Sequence, residues 1–178
     1  MSFNKKLLQL YFDLAYNSVY DFTTAQTASY RRLQRACIDK FEFKPNDRVL
    51  CIGIGTGNEI LPILERNGEV EIVGIDTSSR ALSRAYRKAA KQGKEVELLR
   101  MDAGKLEFDD ESFDKAFCFH LMDFVEDSRR VTEEILRVLK RGGQFVLTYP
   151  SAGEGLRLGT NLLKESLRHN SNSYKALL

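Results

Sequence analysis

Apolar residues along this chain occur in short runs that alternate with segments of helical periodicity. The runs, bounded by turn residues, predict strands at 48–53, 70–76, 95–100, 113–119 and 144–149. The amphipathic segments between and after them predict helices at 57–67, about 78–92, 126–140 and 154–169. Strands that alternate with helices are typical of βαβ units. We therefore predict an α/β fold with a doubly wound, mainly parallel sheet.

The first predicted strand ends in a glycine-rich turn, with glycine at 53, 55 and 57. Glycine lets a backbone bend sharply and lets a ligand approach it closely, while the next helix presents its free N–H groups there. The second strand ends in Asp76, at the position where nucleotide-binding α/β folds place an acid against ribose hydroxyls. Together they predict a ribose-binding site, and a tight turn with a helix cap is the simpler alternative.

Two phosphate signatures are absent from this turn. A dinucleotide fingerprint needs a third glycine where Asn58 stands, and no G-x-x-x-x-G-K-[ST] loop occurs. Asp102 follows the third strand, where a carboxylate can accept from an exocyclic amine while the Ala103 N–H donates to a ring nitrogen. This pair is suited to an adenine edge. The alternative is that Asp102 caps a turn before Gly104.

Composition and net charge mainly exclude certain kinds of partner and site. The net charge of +2 gives no electrostatic case for a nucleic-acid or membrane partner. Cys37, Cys51 and Cys118 have no metal-ligand spacing and are typical of small buried side chains in a reducing compartment. No apolar run approaches the ~18 residues of a membrane span, and no signal peptide is evident. We expect a cytoplasmic protein that holds no metal.

As a set, these motifs resemble the class I S-adenosylmethionine-dependent methyltransferases over about residues 45–150. The matching pieces are Val49-Leu-Cys-Ile-Gly-Ile-Gly-Thr-Gly57, Val73-Gly-Ile-Asp76, Met101-Asp102-Ala103, Ser112-Phe-Asp114 and Ile135-Leu-Arg-Val-Leu-Lys-Arg-Gly-Gly143. Phe12-Asp13 and Tyr20-Asp21 are also similar to the entry helix of the ubiquinone/menaquinone C-methyltransferase-like branch. The resemblance implies a Rossmann-like methyltransferase fold with S-adenosylmethionine as cofactor.

The resemblance also implies roles for individual residues. The implied cofactor-binding residues are Gly53, Gly55, Thr56 and Gly57 for the methionine part, Asp76 and Thr77 for the ribose, Asp102 and Ala103 for adenine, and Phe119 near the sulfonium. His120 and Leu121 would lie beside the reacting methyl group, and His120 is the candidate general base, with a packing or positioning role as the alternative. The tyrosines that could form a lid are Tyr11, Tyr16 and Tyr20, for which ordinary helix packing is the alternative.

Two features depart from the family pattern. The family usually has an acid where Cys51 stands, which helps to hold the cofactor's amino group. After Pro150 only 28 residues remain, too few for the usual last two strands. Strand 144–149 would then be an unpaired edge, which a second chain or the last helix could cover unless the sequence is a truncated form. A homodimer through this edge is one expectation.

The predicted organisation is one domain with two N-terminal helices as a lid (1–44), a cofactor-binding α/β core (45–150) and a C-terminal helix and tail (151–178). The predicted function is methyl transfer from S-adenosylmethionine to a small or lipidic acceptor by in-line displacement. The alternative is a non-catalytic cofactor-binding or scaffold subunit with a shortened fold. A nucleotide-dependent reductase is disfavoured by Asn58.

Overall fold

The computed structural model describes residues 28–148 and 175–176, which contain four helices. These helices are α1 (Ala28–Ile38), α2 (Ile60–Arg66), α3 (Ser79–Lys91) and α4 (Ser128–Val138). None of the four is long and apolar enough to cross a membrane. The strands are β1 (Arg48–Ile52), β2 (Glu71–Asp76), β3 (Glu97–Arg100), β4 (Phe113–Cys118), β5 (Leu139–Leu147) and β6 (Lys175–Ala176). The predicted helix 154–169, the first N-terminal helix and the three lid tyrosines lie outside the described residues.

The six strands form one sheet in the order β3-β2-β1-β4-β5-β6, and each pair of neighbours is parallel. The chain runs outward from β1 to β3, then returns to place β4 on the other side of β1. In open α/β sheets, ligands bind at the carboxyl ends of the strands where the strand order reverses in this way. The predicted doubly wound parallel sheet is confirmed, and its crevice lies between β1 and β4.

Successive side chains of a strand point to opposite faces of the sheet, and both faces here are covered by apolar clusters. Leu50 and Ile52 of β1 belong to the apolar cluster that includes Ile135 of α4. Val49 and Cys51 belong to the cluster on the opposite face, which takes in α1, α2 and α3. Every residue of β1 after Arg48 is therefore buried, and the strand that leads into the glycine turn lies at the centre of the fold.

The boundary between α4 and β5 differs from the prediction. We expected the helix to reach 140 and Arg141-Gly142-Gly143 to break it, but α4 ends at Val138 and β5 begins at Leu139. The register passes from the pair Phe113–Leu139 to the pair Lys115–Gln144, so residues 140–143 form an irregularity within the strand. Gly142, with φ +78°, supplies the left-handed backbone that this irregularity requires.

Lys140 and Asp114 stabilise that irregularity. The ammonium group donates to both carboxylate oxygens of Asp114, at 3.0 and 2.8 Å, and the Arg48 N–H donates to the same carboxylate at 2.9 Å. Partial burial of Asp114 opposes its ionisation, but these hydrogen bonds lower the pKa of the carboxyl group. Side-chain pairing at a distance in sequence therefore decides where this strand begins.

The expectation of a wholly unpaired edge at 144–149 was wrong. Gln144 and Phe145 pair in parallel with Lys175 and Ala176 of β6. A short segment of the same chain thus covers part of the outer edge of β5, and the motifs before residue 150 carry no signal for it.

Candidate functional site

The glycine turn between β1 and α2 has three left-handed residues, Gly53, Gly55 and Gly57, with φ of +66°, +55° and +75°. A Cβ atom at Gly55 would have only the Gly53 carbonyl oxygen near it, at 3.9 Å. A Cβ atom at Gly57 would lie 2.6 Å from Ile60 Cδ1 and 3.0 Å from Ala85 Cβ. Gly55 therefore borders open space in the crevice, whereas Gly57 is required by close packing against α3.

The same turn delays the start of α2. We predicted a helix from 57, but α2 begins at Ile60, because the left-handed glycines hold the preceding residues in turns. Ile54 N–H donates to the Ile75 carbonyl at 2.9 Å, and its side chain packs directly over Gly74 of β2. A side chain at 74 would displace Ile54 and the turn with it. Sequence reasoning gave Gly74 no role, although a glycine inside a strand often marks such a close approach.

Asp76 lies at the carboxyl end of β2, beside the glycine turn. Its Oδ2 accepts a hydrogen bond from Gly55 N–H at 2.9 Å, and its Oδ1 accepts one from Ser78 N–H at 2.8 Å. These two bonds fix the plane of the carboxylate at the end of β2. Ser78 also caps α3 by accepting from Ala81 N–H at 3.2 Å. Neighbouring Thr77 is exposed, and its carbonyl accepts from Arg100.

Asp102 follows β3 and makes the turn that its alternative reading predicted. Its Oδ1 accepts from Gly104 N–H at 2.9 Å, and its carbonyl accepts from Lys105 N–H at 3.0 Å. The Asp102 side chain is exposed, whereas Ala103 is buried. The turn orients the carboxylate at the same edge of the sheet as Asp76.

Helix α4 holds the loop that carries Asp102. Arg130 Nε donates to the Gly104 carbonyl at 2.6 Å, and Glu134 accepts from Leu106 N–H at 2.7 Å. Arg137 donates to the carbonyls of Leu106 and Phe108, both at 2.8 Å, and also to Glu134 and Asp110. The hydrogen bonds that Arg137 donates to Glu134 and Asp110 raise the pKa of its guanidinium group, which therefore stays charged. The loop is therefore attached to α4 at several points.

Arg137→Ala is expected to loosen this loop and to lower the free energy of unfolding by about 1–3 kcal/mol, because several charged hydrogen bonds are lost together. Hydrogen exchange should speed up across 102–110. Arg129→Ala on the same helix is the control, since Arg129 is largely exposed and forms a surface ion pair with Glu133. Such a pair contributes about 0–1 kcal/mol. Equal effects from the two substitutions would contradict the attachment.

The chain leaves β4 through Phe119 and His120. Phe119 is buried and its ring stacks on that of Phe117, with centroids 5.8 Å apart. His120 has a left-handed backbone, φ +54°, and its N–H donates to Thr148 Oγ1 at 3.0 Å. Its Nε2 is shielded from solvent. Leu121 packs against the glycine turn, about where a Cβ of Gly53 would lie.

Glu59 is a candidate site residue that sequence reasoning missed, because we took it as an ordinary residue of the helix predicted over 57–67. It is 4% exposed and directly precedes α2. Burial raises the pKa of its carboxyl group from 4.5 to about 7, and Asp76 adds to the rise, while its own backbone hydrogen bond and Lys88 of α3 oppose it. The sequence did contain a signal for Glu59, since it is an acidic residue within an apolar stretch. It also follows the strand in which Cys51 occupies the position where the family has an acid.

The described cysteines are free thiols. Burial raises the pKa of Cys51 well above its usual range and that of Cys118 to about 12, so both behave as small apolar side chains. Among the residues that the structure describes, no group of three or more His, Cys, Asp and Glu side chains is arranged to hold a metal ion.

Comparison with known sequences shows the family to which this chain belongs. Residues 50–147 match a family described as a methyltransferase domain, and this stretch takes in the glycine turn, Asp76, Asp102 and His120. The chain belongs to this family. Solved structures that share its fold include S-adenosylmethionine-dependent methyltransferases, one of them bound to S-adenosylmethionine. The resemblance to the class I S-adenosylmethionine-dependent methyltransferases is confirmed, because the family match and the shared fold both agree with it.

Named relatives agree with the family. The chain is 36% identical to the phosphatidylethanolamine N-methyltransferase of Cereibacter sphaeroides over 133 residues, 73% of this chain and 62% of that protein. It is also 36% identical to the demethylmenaquinone methyltransferase of Thermus thermophilus over 126 residues, 70% of this chain and 57% of that protein. The [4+2]-cyclase SpnF has a similar structure, with TM-score 0.67 and 31% identity over 78% of this chain and 55% of that one. The chain thus spans little more than half the length of these relatives.

Proposed function

We propose that this chain transfers a methyl group from S-adenosylmethionine to a small or lipidic acceptor by in-line displacement. The observation that carries the proposal is the crevice at the reversal of strand order, where an open glycine turn and the oriented carboxylate of Asp76 lie side by side. An adenosine with no phosphate group fits such a turn. The named relatives support a lipidic acceptor, because one is a phosphatidylethanolamine N-methyltransferase and another a demethylmenaquinone methyltransferase.

The proposed cofactor contacts follow the strand ends. The Asp76 carboxylate, an acceptor of hydrogen bonds, accepts from the ribose hydroxyls, and the backbone at Thr77 borders the same sugar. Gly53, Gly55 and Thr56 border the methionine part. Gly57 shapes the turn from behind, because it packs against α3.

The remaining contacts lie at β3 and β4. The Asp102 carboxylate and Ala103 N–H read the adenine edge, from a loop that α4 holds in place. Phe119 lies beside the sulfonium, at the end of β4. We propose that the N-terminal segment 1–44 forms a lid over the crevice and that 45–150 forms the core.

Methyl transfer requires little of the protein beyond the correct positioning of the reacting groups. The sulfonium already activates its methyl carbon, so catalysis comes from aligning nucleophile, methyl group and sulfur in a site from which water is excluded. A base is needed only when the acceptor must lose a proton. The imidazole of His120, just past β4 and with its Nε2 shielded from solvent, is our candidate for that base.

Methyl transfer is tested with S-adenosylmethionine labelled on its methyl group. We expect label to move into phosphatidylethanolamine vesicles or into a demethylated quinone, and chromatography of the extracted lipid would show which. Since one structural relative is named a cyclase, family membership does not replace this test. Tight cofactor binding without transfer to either acceptor or to a cell lipid extract would favour the non-catalytic alternative.

His120→Asn is expected to lower turnover by about 100-fold or more if the imidazole removes a proton from the acceptor. Asparagine tolerates the left-handed backbone of this position, so the substitution removes the imidazole without adding strain. Calorimetry should show unchanged affinity for S-adenosylmethionine. Unaltered turnover across the pH range would assign His120 a packing role.

We further propose that the protein acts in the cytoplasm without a nucleic-acid partner, as its nearly balanced charge suggests. Within the part of the chain that the structure describes, pairing with β6 involves Gln144 and Phe145 of β5. The rest of that edge supports the proposal that two chains associate there. Light scattering on the purified protein decides between monomer and dimer.

A further inference from the structure

The cofactor's amino-acid end needs an anion that the first strand does not supply. The α-ammonium of S-adenosylmethionine is positively charged near neutral pH. In related enzymes an acid at the position of Cys51 helps to hold it, but the Cys51 thiol is fully buried and its pKa is raised, so it carries no charge. Another group has to neutralise the ammonium if the cofactor is to be held in this crevice.

Glu59 lies where such a group is needed. Its carboxylate interacts electrostatically with Cys51 of β1, Cys118 of β4 and Asp76 of β2. These residues stand at or next to the carboxyl ends of their strands, so Glu59 lies at the base of the crevice. Glu59 is only 4% exposed. The glycine turn next to it leaves open space beside Gly55.

Among the residues that the structure describes, two charged groups act on Glu59 in opposite senses. Lys88 of α3 is the described cation that interacts with it, but the Lys88 ammonium donates to Thr56 Oγ1 at 3.0 Å and to Asn58 Oδ1 at 2.8 Å. Asp76 acts in the opposite sense, as a like charge. Burial outweighs the attraction of Lys88, so the pKa of the Glu59 carboxyl group stays raised.

We propose that Glu59 binds the α-ammonium group of S-adenosylmethionine and replaces the acid that the family has at the position of Cys51. The acid has moved from the strand to the residue before α2, on the other side of the glycine turn. This assignment rests on the proposed function only in so far as the crevice takes the cofactor, and binding measurements test it without any turnover.

Proton linkage follows from the same arrangement. A carboxyl group with a raised pKa is partly protonated at neutral pH, and folding is favoured by the protonated form, so its contribution to stability is lost as pH rises from 4.5 through 7. An ammonium ion beside Glu59 favours the carboxylate and reverses this shift. Cofactor binding near pH 6 should therefore release a proton.

The experiment compares two ligands by calorimetry. S-adenosylhomocysteine carries the amino-acid end, whereas 5′-methylthioadenosine has the same adenosine without it. We expect Glu59→Gln to weaken S-adenosylhomocysteine binding by about 10- to 100-fold, the range for losing a charged hydrogen-bond partner, and to leave 5′-methylthioadenosine unchanged. Glu65→Gln is the matched control, because Glu65 lies on α2 but faces solvent, paired with Arg35.

Two further measurements decide the outcome. At pH 6, titrations in buffers of different ionisation enthalpy should show proton release for wild type with S-adenosylhomocysteine and none for Glu59→Gln. Adding Cys51→Asp to Glu59→Gln should restore part of the lost affinity. Equal losses for both ligands, or no loss for either, would overturn the assignment and make Glu59 a structural partner of Lys88. Failure of methyl transfer with these binding results intact would instead reject only the proposed function.

Discussion

Asp76→Ala is expected to weaken S-adenosylmethionine binding by about 10- to 100-fold, because a carboxylate that accepts from the ribose hydroxyls is worth about 1.5–3 kcal/mol. The same carboxylate accepts from Gly55 and Ser78, so its loss also frees the glycine turn. We therefore expect reduced thermal stability in the free protein together with the loss of affinity. Calorimetry and thermal unfolding on the same preparations measure both.

Two variants separate the ribose contact from the loss of the turn. Asp76→Asn keeps one acceptor oxygen and should lose less stability than Asp76→Ala while still binding more weakly than wild type. Asp47→Ala removes an acid that accepts from Lys44 N–H at 2.9 Å and pairs with Lys115, just before β1 and so at the opposite end of that strand from the glycine turn. Its cost of about 1–3 kcal/mol in stability should leave affinity unchanged. A folded Asp76→Ala protein with wild-type affinity would remove Asp76 from the site.

Gly57→Ala is expected to give the largest loss of stability among single substitutions in the turn, about 2–5 kcal/mol. The left-handed backbone contributes about 1–2 kcal/mol, and the added methyl group, 2.6 Å from Ile60 Cδ1, contributes about 1–3 kcal/mol as overpacking. Because Ala85 of α3 borders the same point, neither helix can move away easily. Urea unfolding gives the free energy.

Gly142→Ala and Gly55→Ala complete this comparison. Gly142 has φ +78°, close to the +75° of Gly57, but nothing lies within 4 Å of its Cβ position. Its substitution measures the backbone cost alone. Gly55→Ala should likewise cost stability only through its backbone, yet it should reduce cofactor affinity, because its methyl group enters the open crevice. Similar stability losses at 57 and 142 would show that packing against α3 contributes little.

The positions of the strands were predictable because each is a short apolar run that ends in a polar or glycine residue. β1, β2 and β4 were found within one or two residues, and with them Asp76 at the end of its strand. The glycine turn was found for the same local reason, since left-handed backbone at 53, 55 and 57 is a demand that the residue type itself reveals.

The errors share a different cause. The start of β5 depends on Lys140 meeting Asp114, which lies 26 residues earlier, and the partial cover of its edge depends on Lys175 and Ala176 returning to the sheet. The start of α2 at Ile60 depends on how the turn packs against α3. Local periodicity contains no information on these contacts between residues that are distant in sequence.

The order of residues along this chain was enough to establish the alternating strands and helices, the family and the adenosine-binding motifs, because each is written in residue types at fixed local spacing. Only tertiary structure revealed that Gly57 serves packing while Gly55 borders the crevice, that α4 holds the Asp102 loop, and that Glu59 is buried at the base of the site. Burial and electrostatic surroundings arise from contacts between distant segments. The charge of a carboxyl group such as Glu59 is therefore decided by the fold, whereas its presence is decided by the sequence.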